Sequence, residues 1–393
     1  MIFPRYPKYK ASGVEWLGDV PEGWRVGPLK RLITASSGTD SKSELGDFPL
    51  YGANGIIGLS ETVSQPNGAL LVGRVGSAGS ITLASEPCAV SDNALIVRSV
   101  IDTHKAYLFY LLTSLNLSAD ISKNAQPLIT STALVNKSIA FPIQISEQAA
   151  IAEFLDRETG KIDELVAEQR RLTELLREKR QAVISHAVTK GLNRHAHMKP
   201  SGIEWLGDVP MGWVTCALKR LVRMQSGESI TAESIAETGA YPVYGGNGLR
   251  GFTSEFTHNG TYVLIGRQGA LCGNINYACE KFWASEHAVV ATPTKSVDTF
   301  WLGEMLRTMN LNQYSIAAAQ PGLSVELVGR LGVPVPPLAE QKAIATYLAT
   351  ETSKFDTLAA EAQRAIDLLQ ERRTALISAA VTGQIDVRQQ PQS

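Results

Sequence analysis

Ser12-Gly-Val-Glu-Trp-Leu-Gly-Asp-Val-Pro-Glu-Gly-Trp24 recurs, with two residues changed, as Ser201-Gly-Ile-Glu-Trp-Leu-Gly-Asp-Val-Pro-Met-Gly-Trp213. Collinear matches follow it. Leu29-Lys-Arg-Leu32 returns as Leu218-Lys-Arg-Leu221, and Tyr51-Gly-Ala-Asn-Gly55 as Tyr244-Gly-Gly-Asn-Gly248. Leu71-Val-Gly-Arg74 pairs with Leu264-Ile-Gly-Arg267, Ala125-Gln-Pro127 with Ala319-Gln-Pro321, and Glu147-Gln148 with Glu340-Gln341. The period is far too long for a solenoid, so the chain is a duplicated domain-plus-helix unit.

Each unit changes texture along its length. Residues 24–142 and 213–337 are rich in Gly, Ser, Thr and β-branched residues, with short apolar runs such as Ala69-Leu-Leu-Val72 and Tyr262-Val-Leu-Ile265 between turns. These read as strands. Residues 146–190 and 339–385 are nearly free of Gly and Pro, and their apolar residues recur at heptad spacing,. In the first copy Leu155, Ile162 and Leu176 lie on one heptad position, and Ile151, Leu165 and Leu172 on the other. In the second, Leu348, Phe355, Leu369 and Leu376 lie on one, with Ile344 and Leu358 on the other. Such stripes predict a coiled coil; about 40 residues make a rod of roughly 60 Å. The apolar surface exceeds what one antiparallel pair hides, so Leu155, Ile162, Leu165, Leu176, Leu348, Phe355, Leu358 and Leu369 are expected at subunit interfaces. The expected fold is α+β: two β-rich domains (1–145 and 191–338) and two antiparallel helices (146–190 and 339–385), then a polar tail, 386–393.

Composition is that of a globular protein, with 44% hydrophobic and 19% charged residues,. The net charge of −1 does not favour nucleic acid, but basic groups gathered on one face suffice for it,. No apolar run is long enough for a membrane span, and the polar start of the chain is no secretory signal. The four cysteines form no CxxC, which fits reduced packing residues in the cytoplasm,. No GxxxxGK[ST] occurs,. Pro336-Pro337 is flanked by Val335 and Leu338, which neither hydrogen-bond nor stack a flipped base,. His195 and His197 sit in a polar connector without further metal ligands,.

Two glycine loops remain. Gly73-Arg-Val-Gly-Ser-Ala-Gly79 and the one-residue-longer Gly266-Arg-Gln-Gly-Ala-Leu-Cys-Gly273 read either as strand-to-strand turns or as loops bringing Arg74 or Arg267 to a DNA phosphate,. Asn54-Gly55 and Asn247-Gly248 are tight-turn signals,.

The layout resembles the DNA specificity subunits of type I restriction–modification systems. The resemblance rests on the opening phrase before each β-rich domain, on Ser146-Glu-Gln-Ala-Ala-Ile-Ala152 and Ala339-Glu-Gln-Lys-Ala-Ile-Ala345, and on the helix ends Arg180-Gln-Ala-Val-Ile-Ser185 and Arg373-Thr-Ala-Leu-Ile-Ser378. It implies two target-recognition domains reading a split double-stranded DNA site, and helices that act as ruler and platform for two modification subunits. Those subunits methylate adenine with S-adenosylmethionine, and restriction subunits bring ATP and Mg2+. The chain itself would bind no cofactor and catalyse nothing. A coiled-coil protein scaffold, or a methyltransferase or nuclease with diverged motifs, are the rival readings. Split targets are usually asymmetric, so residues shared by both copies cannot distinguish the halves. Tyr51, Asn54, Arg74, Gln126, Tyr244, Asn247, Arg267 and Gln320 are therefore expected to shape loops or hold phosphates. The unshared Ser80, Asn93, Arg250, Gln268, Asn274 and His287 are the base-reading candidates.

Overall fold

The computed structural model describes residues 3–117, 128–269, 271–315 and 322–388. It divides into two compact units, Met1–Arg170 with Gln363–Ser393, and Arg171–Ala362.

In the first unit a four-stranded antiparallel sheet runs Ile33–Ser37, Ala94–Ser99, Ala69–Gly73, Ile81–Ala84. Side chains alternate across a strand, and here both faces are covered. Leu70, Val72, Leu95 and Val97 face the main core with the helix Lys105–Ser114. Ala69, Leu71, Ala94 and Ile96 face a smaller core against Tyr51. That second core is closed by a three-stranded sheet in which Phe48–Gly52 pairs antiparallel with Gly55–Ser60 and parallel with Ala89–Val90. The second unit repeats this. Its main sheet runs Val222–Ser226, Ala288–Pro293, Tyr262–Gly266, Ile275–Ala278, and the smaller sheet pairs Tyr241–Gly245 with Gly248–Thr253 and Lys281–Ala284. The small sheet here gains an edge strand, His258–Asn259.

The two long helices, Ile145–Lys190 and Leu338–Val381, contribute a segment to each unit. In the first unit Ile151, Leu155, Ile162 and Val166 pack with Ile366, Leu376, Ile377 and Val381 in one core, and Arg373 Nε meets Asp163 Oδ1 at 3.1 Å. In the second, Ile184 and Val188 pack with Ile344 and Leu348, and Arg180 Nε lies 3.5 Å from Asp356 Oδ1. The start of one helix meets the end of the other in each unit, so the pairing is antiparallel. The exposed ion pairs add little energy. Leu165 and Leu358 fall outside this seam, 45% and 46% exposed. An α-helix drifts about 20° per heptad against a strict seven-residue repeat, so burial passes from Ile162 to Val166 and skips Leu165.

The duplicated motifs lock each helix to its β-rich domain. Trp24 Nε1 donates to Glu147 Oε1 at 2.9 Å, and Trp213 Nε1 to Glu340 Oε2 at 2.9 Å. The next residue, Gln148 or Gln341, is buried. Gln341 Oε1 accepts from the Asp298 backbone N–H at the start of the helix Thr299–Thr308, and its Nε2 donates to the Pro336 carbonyl, both at 2.9 Å. Gln148 does the same for His104 (3.0 Å) and Pro142 (2.9 Å). Gln341→Leu should leave both backbone groups dry and unpaired, each costing about 1–3 kcal/mol. The check is early thermal unfolding of the second unit, with proteolytic nicking near residue 298 and the first unit resistant.

Candidate nucleic-acid interface

Each glycine loop joins a central strand of the main sheet to the edge strand beside it as a strand-to-strand turn, between Ala69–Gly73 and Ile81–Ala84 and between Tyr262–Gly266 and Ile275–Ala278. Three loops distant in sequence converge here. A Cβ on Gly73 would stand 2.5 Å from the carbonyl oxygen of Ala53, in the Asn-Gly hairpin of the small sheet. A Cβ on Gly266 would collide with the Gly246 carbonyl and stand 2.7 Å from that of Leu271. Only glycine lets the hairpin settle on the loop. The third loop is held by backbone bonds: Arg74 N–H donates to the Asn93 carbonyl (2.8 Å), and Arg267 N–H to that of His287 (2.9 Å).

The frame is therefore the same in both units while the side chains on it differ. Gly73 N–H donates to the Ser80 carbonyl and Gly266 N–H to that of Asn274, both at 2.8 Å. The Asn93 and His287 amides each reach a serine hydroxyl two residues back, Ser91 and Ser285, at 3.4 Å. Val75 bridges to Leu128 where Gln268 bridges to Gly322.

In the second unit the candidates gather. Asn247, Arg250, Gln268 and His287 line one open cavity of about 510 Å³ with Gly246, Gly269 and Leu271. His287 Nδ1 and Gln268 Oε1 lie 3.2 Å apart, and His287 Nε2 is 3.1 Å from Glu286. Asn274 Nδ2 donates to Asn247 Oδ1 at 3.3 Å, and Arg267 Nη1 to Ser226 Oγ at 3.1 Å. In the first unit Arg74 Nη1 donates to the Asp92 carbonyl at 3.2 Å. The Ser80 hydroxyl turns inward to the carbonyls of Ala53 and Ser77. Asn54 and Asn93 are exposed. Tyr51 packs on the small core, and the Tyr244 ring meets Phe282 edge-on at 5.7 Å. Leu155, Ile162, Leu348 and Phe355 are buried within their own units, Leu176 and Leu369 half-buried. Gln126 and Gln320 lie outside the described residues. Leu271 of the rim escaped the sequence reading, because an apolar residue in a glycine loop carries no donor or acceptor signal.

His258 stacks on the other side of this support. Its ring lies 5.3 Å from Phe282, 14° from parallel, and burial holds its pKa below the ordinary histidine value against the raising effect of Glu228. A base whose folded pKa is depressed binds more protons when unfolded, so stability rises with pH across that interval. The second unit should lose stability as pH falls below about 6.5. Melting of wild type and His258→Phe between pH 7.5 and 5.5 tests this; a substitution that leaves the acid-side slope unchanged speaks against it.

Among the described residues no helix is long and apolar enough to cross a membrane. Comparison with known proteins places the two units in one family. The type I restriction modification DNA specificity domain matches twice, at residues 21–174 and 210–366. The chain is 43% identical to the type I restriction enzyme EcoprrI specificity subunit of Escherichia coli over 145 residues, 36% of this chain and 35% of that protein. It therefore aligns with about a third of that relative's length. It is 23% identical to the MjaVIII specificity subunit of Methanocaldococcus jannaschii, with 94% of each chain covered. The fold is shared with a chain solved in work on complex assembly and conformational transition of the type I R-M system, with TM-score 0.65, 17% identity, and coverage of 92% of this chain and 98% of that one. The duplicated sequence, the duplicated fold and the double match agree: the chain belongs to the type I restriction modification DNA specificity family.

Proposed function

We propose that this chain is the non-catalytic subunit that reads a bipartite double-stranded DNA target in a cytoplasmic type I restriction–modification complex. Its two β-rich domains, 1–145 and 191–338, each read one half-site. It directs two modification subunits, which methylate adenine with S-adenosylmethionine, and restriction subunits that use ATP and Mg2+. The observation that carries this is the pairing of a shared three-loop frame with different side chains at equivalent positions: Gln268, Asn274 and His287 where the first unit has Val75, Ser80 and Asn93. A protein scaffold has no need for that division. A split target with unlike halves requires it.

Mapping methylated adenines in the host genome tests the reading. A single two-part motif is expected, lost on deleting the gene; an unchanged methylome removes the proposal. Residue roles are tested by binding. Gln268 presents an amide able to pair with adenine N6 and N7, a contact worth about 1–3 kcal/mol of discrimination. Arg267 is shared between units and is assigned to phosphate. With modification subunits present, Gln268→Ala should relax one base pair of the second half-site. Arg267→Ala should weaken all sequences alike and lower the salt slope by roughly one. The reverse pattern overturns the division between shared and unshared residues.

A further inference from the structure

We propose that the extra residue of the hairpin β-bulge, Ile57 in the first unit and Arg250 in the second, is a base-reading side chain in each, and that Ile57 reads the 5-methyl group of a thymine. The inference rests on the DNA-reading function proposed above. Its basis is a break in strand register. Leu50 pairs with Gly58 and Tyr51 with Ile56, so Ile57 has no cross-strand partner. In the second unit Val243 pairs with Gly251 and Tyr244 with Leu249, which leaves Arg250 unpaired in the same way. A bulge re-aims the side chain it carries and is a built feature of a strand.

Both side chains lie over a glycine. A Cβ on Gly52 would stand 2.7 Å from Ile57 Cγ2, and a Cβ on Gly245 would stand 2.5 Å from Arg250 Cδ. The two residues thus occupy one position on the shared frame. In the second unit that position is the rim itself, since Arg250 lines the cavity with Asn247, Gln268 and His287. A frame that holds a guanidinium there in one unit holds a branched aliphatic chain in the other. Ile57 is 48% exposed and its neighbour Ile56 62% exposed. The frame gives such an apolar pair no covering of its own.

Base-pair chemistry assigns the occupant. The only apolar group on a base edge in the major groove is the thymine methyl, whereas arginine pairs with guanine O6 and N7. The two units would then differ at one equivalent step, A·T in the first half-site and G·C in the second.

The test uses the full chain with its modification subunits. Recognised half-sites are first selected from randomised duplexes, and each thymine of the first half-site is then replaced by deoxyuridine, which lacks only the methyl. One position should lose about fourfold in affinity, the effect of one buried methyl-sized group. Ile57→Ala should abolish that sensitivity, so that the thymine and uridine duplexes bind it equally. Ile57→Arg should move the preference at that step towards guanine. If no thymine of the first half-site responds to methyl loss, or if the response persists in Ile57→Ala, the assignment is wrong. If selection enriches no half-site at all, the DNA-reading function falls and takes this inference with it.

Discussion

Gly266→Val is expected to abolish sequence reading by the second unit and leave the first unit's half-site preference intact. The added side chain would begin with a Cβ driven into the carbonyl of Gly246 and within 2.7 Å of that of Leu271. Both obstacles are backbone, and one belongs to the hairpin that carries Asn247. Overpacked cores relax by moving side chains at a cost of about 1–3 kcal/mol. Here the hairpin itself must lift, and with it the rim formed by Asn247, Arg250, Gln268 and His287. Affinity for a target altered in neither half should fall to that for DNA carrying only the first half-site, a loss of about 1–3 kcal/mol for each base pair no longer read. Gly269→Ala is the control. Its φ is +83° and nothing lies within 4 Å of the new Cβ, so it carries only left-handed strain of roughly 1–2 kcal/mol,. Equal losses in the two variants would trace the effect to loop conformation and not to hairpin docking.

That convergence was beyond the reach of the sequence, and the reason is physical. Asn54, Arg74 and Asn93 are separated by two stretches of about 20 residues, and nothing local brings them together. They meet because the small sheet pairs Phe48–Gly52 in parallel with Ala89–Val90, a long-range pairing that periodicity does not encode. The bulge at Ile57 is hidden for a similar reason: it is a relation between two strands and not a property of one. An expectation confined to polar positions also passes over an isoleucine.

What could be read was what repeats or what is periodic. The two phrases ending in Trp24 and Trp213 announced the duplication, and each indole closes onto the glutamate that opens a long helix. The helices themselves followed from apolar spacing. The heptad count went wrong only in detail, because it treats the seam as straight: it set Leu165 and Leu358 beside Ile151 and Ile344, while the structure turns those leucines to the surface.

The same two leucines give the last expectation, that Leu165→Glu and Leu358→Glu each remove one modification subunit from the complex. They are equivalent residues of the repeat, one in each unit, and each is nearly half exposed; the first helix also exposes Leu172 and Leu175, and the second Leu368. A glutamate at an exposed helical site changes stability by about 0.5 kcal/mol or less, so the chain should still fold. An apolar anchor at the centre of a protein interface is worth about 2 kcal/mol or more, and a buried, unpaired carboxylate adds its desolvation cost to that loss. Native mass spectrometry of the co-expressed complex should count two modification subunits for wild type, one for either variant and none for both together. Leu155→Glu is a different case, because Leu155 is fully enclosed in the first unit's core; it should unfold that unit before assembly can be scored. Two subunits retained by the double variant would place the partner's footing elsewhere on the chain. Loss of both from a single variant would show that the two sites do not bind independently.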